Sequence, residues 1–180
     1  MALVVEDGTG KADANSFVSV SYADNYHSGR GTSTWTGTDA TKEAALIRAT
    51  DYLSEVYQWM GYRLKGRRDN EGAQALAWPR QGVKDKEGIY VNTNEIPVEI
   101  KKATSELALY ELVNPGALDP TFTPSTVIKS VKAGPVSVTF ENDRTDSNSI
   151  RPVILRVNNL VGQFIQTTGG SRLSGASVRT

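Results

Sequence analysis

Residues 38–61 read TDATKEAALIRATDYLSEVYQWMG, and this run decides the fold class. Leu46, Ala49, Leu53, Val56, Tyr57 and Met60 recur at spacings of three and four, which places them on one face of an α-helix. Lys42, Glu43, Arg48, Asp51 and Glu55 fall largely on the opposite face, with Asp51 and Glu55 spaced to neighbour Arg48. Thr38 or Asp39 caps the start, because a short side-chain oxygen can accept from an unpaired N–H of the first turn. Gly61 marks the end.

Working outward, a second helix begins at Pro97, a residue favoured in the first turn because it has no N–H to leave unpaired. Ile100, Ala103, Leu107 and Tyr110 form its stripe, and Asn114-Pro115-Gly116 stops it. Upstream, Ser19 or Ser21 caps a short helix over residues 22–27 that halts at Ser28-Gly29. Trp35 sits in a Thr/Ser-rich loop, where burial of its large ring against the body offsets the ordering of the loop.

Beyond a Pro/Thr-rich connector at 119–125 the period changes to two. Val136, Val138 and Phe140 alternate with Ser137 and Thr139, the pattern of a half-buried strand. Residues 127–132 are its partner and Ala133-Gly134-Pro135 the turn, so the β element spans about 127–140. A polar loop at 143–148 follows, and Pro152 opens an amphipathic segment carrying Val153, Val157, Leu160, Val161 and Phe164. The expected architecture is mostly α with a small antiparallel β element, an α+β chain.

The ends differ from the middle. Residues 1–15 combine a short apolar run with Asp7, Gly8, Gly10 and Asp13, an extended arm that either pairs with a neighbouring subunit or folds back. Residues 16–166 form the helical domain. Residues 167–180 are Gly/Ser-rich with Arg172 and Arg179, a tail with little to bury.

Composition narrows the chemistry. The 180 residues hold no Cys and one His, His27. Thiol nucleophiles and Cys-based zinc sites are thereby excluded. A Ser–His–Asp triad would need His27, and no G-x-S-x-G turn accompanies it. No phosphate loop, dinucleotide fingerprint or calcium loop is present, so neither a catalytic role nor a cofactor is expected. Without a signal-peptide pattern or a long apolar run, a soluble protein made in a cytoplasm is expected. Twenty Lys+Arg balance twenty Asp+Glu, so phosphates can be gripped only through a local patch. Hydrophobic residues make up 38%, a modest core that neighbouring subunits would complete.

Such a patch exists at 63–86, RLKGRRDNEGAQALAWPRQGVKDK. Arg63, Lys65, Arg67, Arg68, Arg80 and Lys84 crowd near Trp59, Tyr62 and Trp78. Cations interleaved with rings suit single-stranded nucleic acid, with phosphates on the charges and bases stacked on the rings. Asp69, Glu71 and Asp85 interrupt the run, and mixed charge equally suits a subunit interface.

Five stretches in order resemble one family. They are ALVVEDGTGKADANSFVSVSYADNYHSGRG (2–31), KEAALIRATDYL (42–53), ALAWPRQGV (75–83), IPVEIKKATSELALYEL (96–112) and VKAGPVSVTF (131–140). Together they are similar to tailed-phage head–tail connector (adaptor) proteins, whose members often carry the label DnaT-like single-stranded-DNA-binding protein. The resemblance implies a structural adaptor in the virion neck, a homo-oligomeric ring of about twelve copies closing on itself. Its implied partners are the portal protein, a tail-side stopper or tail completion protein, and packaged double-stranded DNA passing through the channel; no membrane is implied. The expected contact residues are Arg63, Lys65, Arg67, Arg68, Trp78, Arg80, Arg172 and Arg179. The alternative function is a single-stranded-DNA-binding accessory protein of replication, with Trp59 or Trp78 as stacking surface.

Overall fold

The structure, a computed structural model, describes residues 2–66, 73–120, 130–133, 136–139 and 154–166. Four helices follow in chain order: α1 (Val20–Ser28), α2 (Asp39–Val56), α3 (Val98–Val113) and α4 (Leu155–Val161). Two short antiparallel pairs complete the α+β architecture. They are β1 (Tyr62–Arg63) with β2 (Arg80–Gln81), and β3 (Ser130–Ala133) with β4 (Val136–Thr139).

The helix starts follow from local chemistry. Ser19 caps α1 by accepting from Tyr22 N at 3.1 Å, and Thr38 caps α2 by accepting from Thr41 N at 3.3 Å. Asp39 adds a negative charge to the first turn of α2, where the helix dipole favours one. Pro97 occupies the cap position of α3, one residue ahead of the first turn.

α2 stops at Val56, four residues before the apolar spacing ends. Tyr57 turns extended, so Tyr57 and Met60 leave the helical face that the periodicity gave them. Competing partners explain the departure. Gln58 O accepts from Gln166 N at 2.8 Å, and Met60 N donates to Phe164 O at 2.8 Å. The Trp59 indole N–H turns back to Leu53 O at 3.1 Å, pairing a carbonyl that the last turn leaves open. Apolar spacing cannot register such pairing with a segment a hundred residues away.

The core lies where α2 and α3 pack together, with α1 against both and α4 along α3. Leu46, Ala49 and Leu53 meet Ile100, Ala103 and Leu107, and Val157, Val161 and Phe164 close the cluster. Arg48 does not pair with Asp51 or Glu55. Its guanidinium donates to Glu111 Oε1 at 2.9 Å, and the buried Glu111 also accepts from Gly116 N and Leu118 N.

The first residues fold back onto the body. Glu6 N donates to Ser16 O, Asn15 N to Val4 O, and Ala75 N to Lys11 O, each at 2.9 Å. Glu6 is buried, and its carboxylate accepts from the N–H groups of Gly8, Gly10 and Lys11 at 2.8–2.9 Å. In the β3–β4 pair, Val131 stands opposite Val138 and Ala133 opposite Val136. Ala133, expected in the turn, instead ends β3 by pairing with Val136. The other expected turn residues Gly134 and Pro135, and Val127, Phe140, Pro152 and Val153, lie outside the described residues.

Candidate nucleic-acid interface

The residues around β1 and β2 sort into an inner set and an outer set. Trp78 has no exposed surface and Trp59 is buried. They join an aromatic chain in which Trp59 meets Trp78 at 5.7 Å and Trp78 meets Phe164 at 5.4 Å, both edge-to-face. The Trp78–Pro79 peptide bond is cis. Neither indole presents a face on which a base could stack.

Arg80 belongs to the same inner set. Its Nε donates to Met60 O at 2.7 Å, Nη1 to Ala77 O at 3.1 Å, and Nη2 to Gly61 O at 2.7 Å and Trp59 O at 3.3 Å. A planar fork matches this ring of carbonyls as a flexible ammonium could not. Burial, with Arg63 nearby, pulls its pKa below the usual value, yet a guanidinium stays charged. Gln74 is buried beside it, donating to Leu76 O and Pro79 O and accepting from Lys65 N. Trp78, Pro79 and Arg80 thus serve the turn that contains them, with Trp78 fully buried and the half-buried Arg80 guanidinium bound to backbone carbonyls.

The outer set is different. Tyr62 is 63% exposed and Tyr90 is 67% exposed, with Ile89 open beside it. Tyr62 stands opposite Gln81 in the β1–β2 register, and Lys84 is bridged to Tyr90. Lys84 Nζ lies 4.7 Å from the Tyr90 ring centre, a cation–π contact. The turn between them is set by Asp85, whose Oδ1 accepts from Glu87 N and Ile89 N at 2.9 Å. Arg63 and Lys65 are half-buried and Lys86 is exposed on the same segments. Arg67, Arg68, Arg172 and Arg179, and the interrupting Asp69 and Glu71, lie outside the described residues.

Tyr90 and Ile89 escaped the sequence reading. The signal that could have found them is an apolar pair directly after the polar turn Asp85–Gly88, where no alternation continues to bury both.

Elsewhere, a cleft of about 580 Å³ between α2 and the end of α3 is lined by Arg48, Asp51, Glu55 and Glu111. Burial and the neighbouring Glu55 push the Asp51 carboxyl up. Among the described residues, no group of three or more acidic or His side chains is placed to hold a metal ion. No helix among them is long and apolar enough to cross a membrane.

Residues 1–180, the whole chain, match the family described as "Putative DnaT-like ssDNA binding protein". No curated protein and no solved structure matches the chain.

Proposed function

Since the chain belongs to the family described as "Putative DnaT-like ssDNA binding protein", we propose that it binds single-stranded DNA as a non-catalytic accessory protein. The match along all 180 residues carries this reading. The exposed tyrosines beside Arg63, Lys65, Lys84 and Lys86 support it, since rings and cations in alternation are what a sequence-tolerant single-strand site requires. A net charge of zero confines the attraction to that patch. Affinity is therefore modest and steeply dependent on salt.

The test is a fluorescence anisotropy titration of a labelled oligonucleotide with the full chain, against a duplex of the same sequence. Single-strand binding at low salt is expected, with a log–log salt slope of about −0.7 for each phosphate neutralised. Absence of binding at low salt removes the reading.

A second reading is the head–tail connector. It is favoured by the order of the five segments that resemble that family, and by a Trp-Pro-Arg signature that works inside the fold as a scaffold element does. In it, copies of the chain form a ring in the virion neck between portal and tail-side proteins, with packaged DNA passing through. Electron microscopy of lysates from the parent phage lacking this gene separates the two. Free heads and finished tails with normal DNA synthesis support the connector; arrested DNA synthesis supports the single-strand reading.

A further inference from the structure

Resting on the single-strand reading above, we infer that the strand runs over a ridge carried by residues 81–84, stacking on Tyr62 and Tyr90. Its phosphates are held by Arg63, Lys65, Lys84 and Lys86.

The register supplies the geometry. Tyr62 pairs with Gln81 at one end of this segment, and Tyr90 pairs with Lys84 at the other. The two partner positions are three chain steps apart, with Gly82 and Val83 between them, at most about 11 Å of chain. That is close to the rise of three stacked nucleotides at roughly 3.4 Å each. Val91 N donates to Val83 O at 2.9 Å within the segment, and Leu64 N donates to Pro79 O at 3.1 Å just before it. Gly82, with φ +74°, sits at the middle of the ridge. A Cβ there would stand 3.6 Å from Tyr62 Cε1, so an edge of the ring reaches to this glycine.

Charge and exposure agree with this placement. Residues 62–65 and 84–90 carry four cations against Asp85 and Glu87, and Asp85 uses one oxygen on its own turn. Both tyrosines are more than half exposed while both nearby tryptophans are buried. Stacking on this surface therefore falls to the tyrosines.

The experiment uses the full chain with Tyr62→Ala, Tyr90→Ala, Tyr62→Phe and Lys84→Ala, titrated into the labelled oligonucleotide. Val113→Ala and Leu155→Ala are controls, since both side chains are exposed apolar residues on other elements. Circular dichroism of each variant checks that the fold is kept. About a tenfold loss of affinity is expected for either tyrosine-to-alanine change, with Tyr62→Phe and the controls close to wild type. Lys84→Ala should make the salt slope shallower by about 0.7. Wild-type binding that Tyr62→Ala and Tyr90→Ala leave unchanged overturns the ridge and leaves the single-strand reading standing. Wild-type protein that fails to bind at low salt overturns both.

Discussion

At Arg80 one side chain meets four backbone carbonyls, from Trp59, Met60, Gly61 and Ala77. Removing the guanidinium leaves several of those acceptors short of a donor in a half-buried turn. Arg80→Ala should lower unfolding stability by about 2 kcal/mol, and Arg80→Lys should recover little, because an ammonium cannot span the fork. Urea denaturation measures both. His27 makes a different prediction. It is buried, its Nε2 lies 3.0 Å from Ser105 O, and its Nδ1 has no hydrogen-bond partner among the described residues. A carbonyl only accepts, so Nε2 carries a proton, and in the neutral ring that leaves Nδ1 bare. Burial holds its pKa below the usual 6.5; Glu106 and Asp24 pull it upward, and Arg30 acts with burial. The unfolded chain then binds the proton more readily than the folded one. The His27 contribution is fully present above pH 6.5 and is lost as pH falls from there toward the folded pKa. Denaturation midpoints at about pH 7.5 and 5.5 should show that loss, and His27→Gln should flatten it.

Among the elements, two glycines separate conformational strain from steric exclusion. Gly61, at the entrance to β1, has φ +65°, and a Cβ there would stand 2.2 Å from Gln81 O. Gly88, in the turn after Lys86, has φ +82° with nothing within 4 Å. Gly88→Ala should cost about 1 kcal/mol, the penalty for a left-handed backbone alone. Gly61→Ala should cost clearly more, about 3 kcal/mol, since β1 and β2 must also move apart. Differential scanning calorimetry of the two variants compares them directly. The same elements show what sequence makes legible. Caps and apolar spacing place α2, α3 and the β3–β4 pair, because these signals are local. The stop of α2 at Val56 was not legible, because it depends on Phe164 and Gln166 pairing with Met60 and Gln58. The β1–β2 pair is two residues long on each side, too short for any alternation to appear.

For the molecule as a whole, the candidate site was half legible. Composition marked the cations of residues 63–86 and the rings Trp59, Tyr62 and Trp78 as a candidate surface, since chemical capacity is written in residue type, and it passed over Tyr90. Which rings face outward was not, because an indole and a phenol in a polar loop look alike until the core claims one. Trp59 and Trp78 are taken by Phe164 and the last turn of α2, and Tyr62 and Tyr90 are left to solvent. The most direct test of this division is photocrosslinking of a bromodeoxyuridine-substituted single strand to the wild-type chain, followed by peptide mapping. Adducts at Tyr62 and Tyr90, with none at Trp59 or Trp78, are the predicted result. Adducts at the tryptophans, or on peptides remote from residues 62–90, would contradict it.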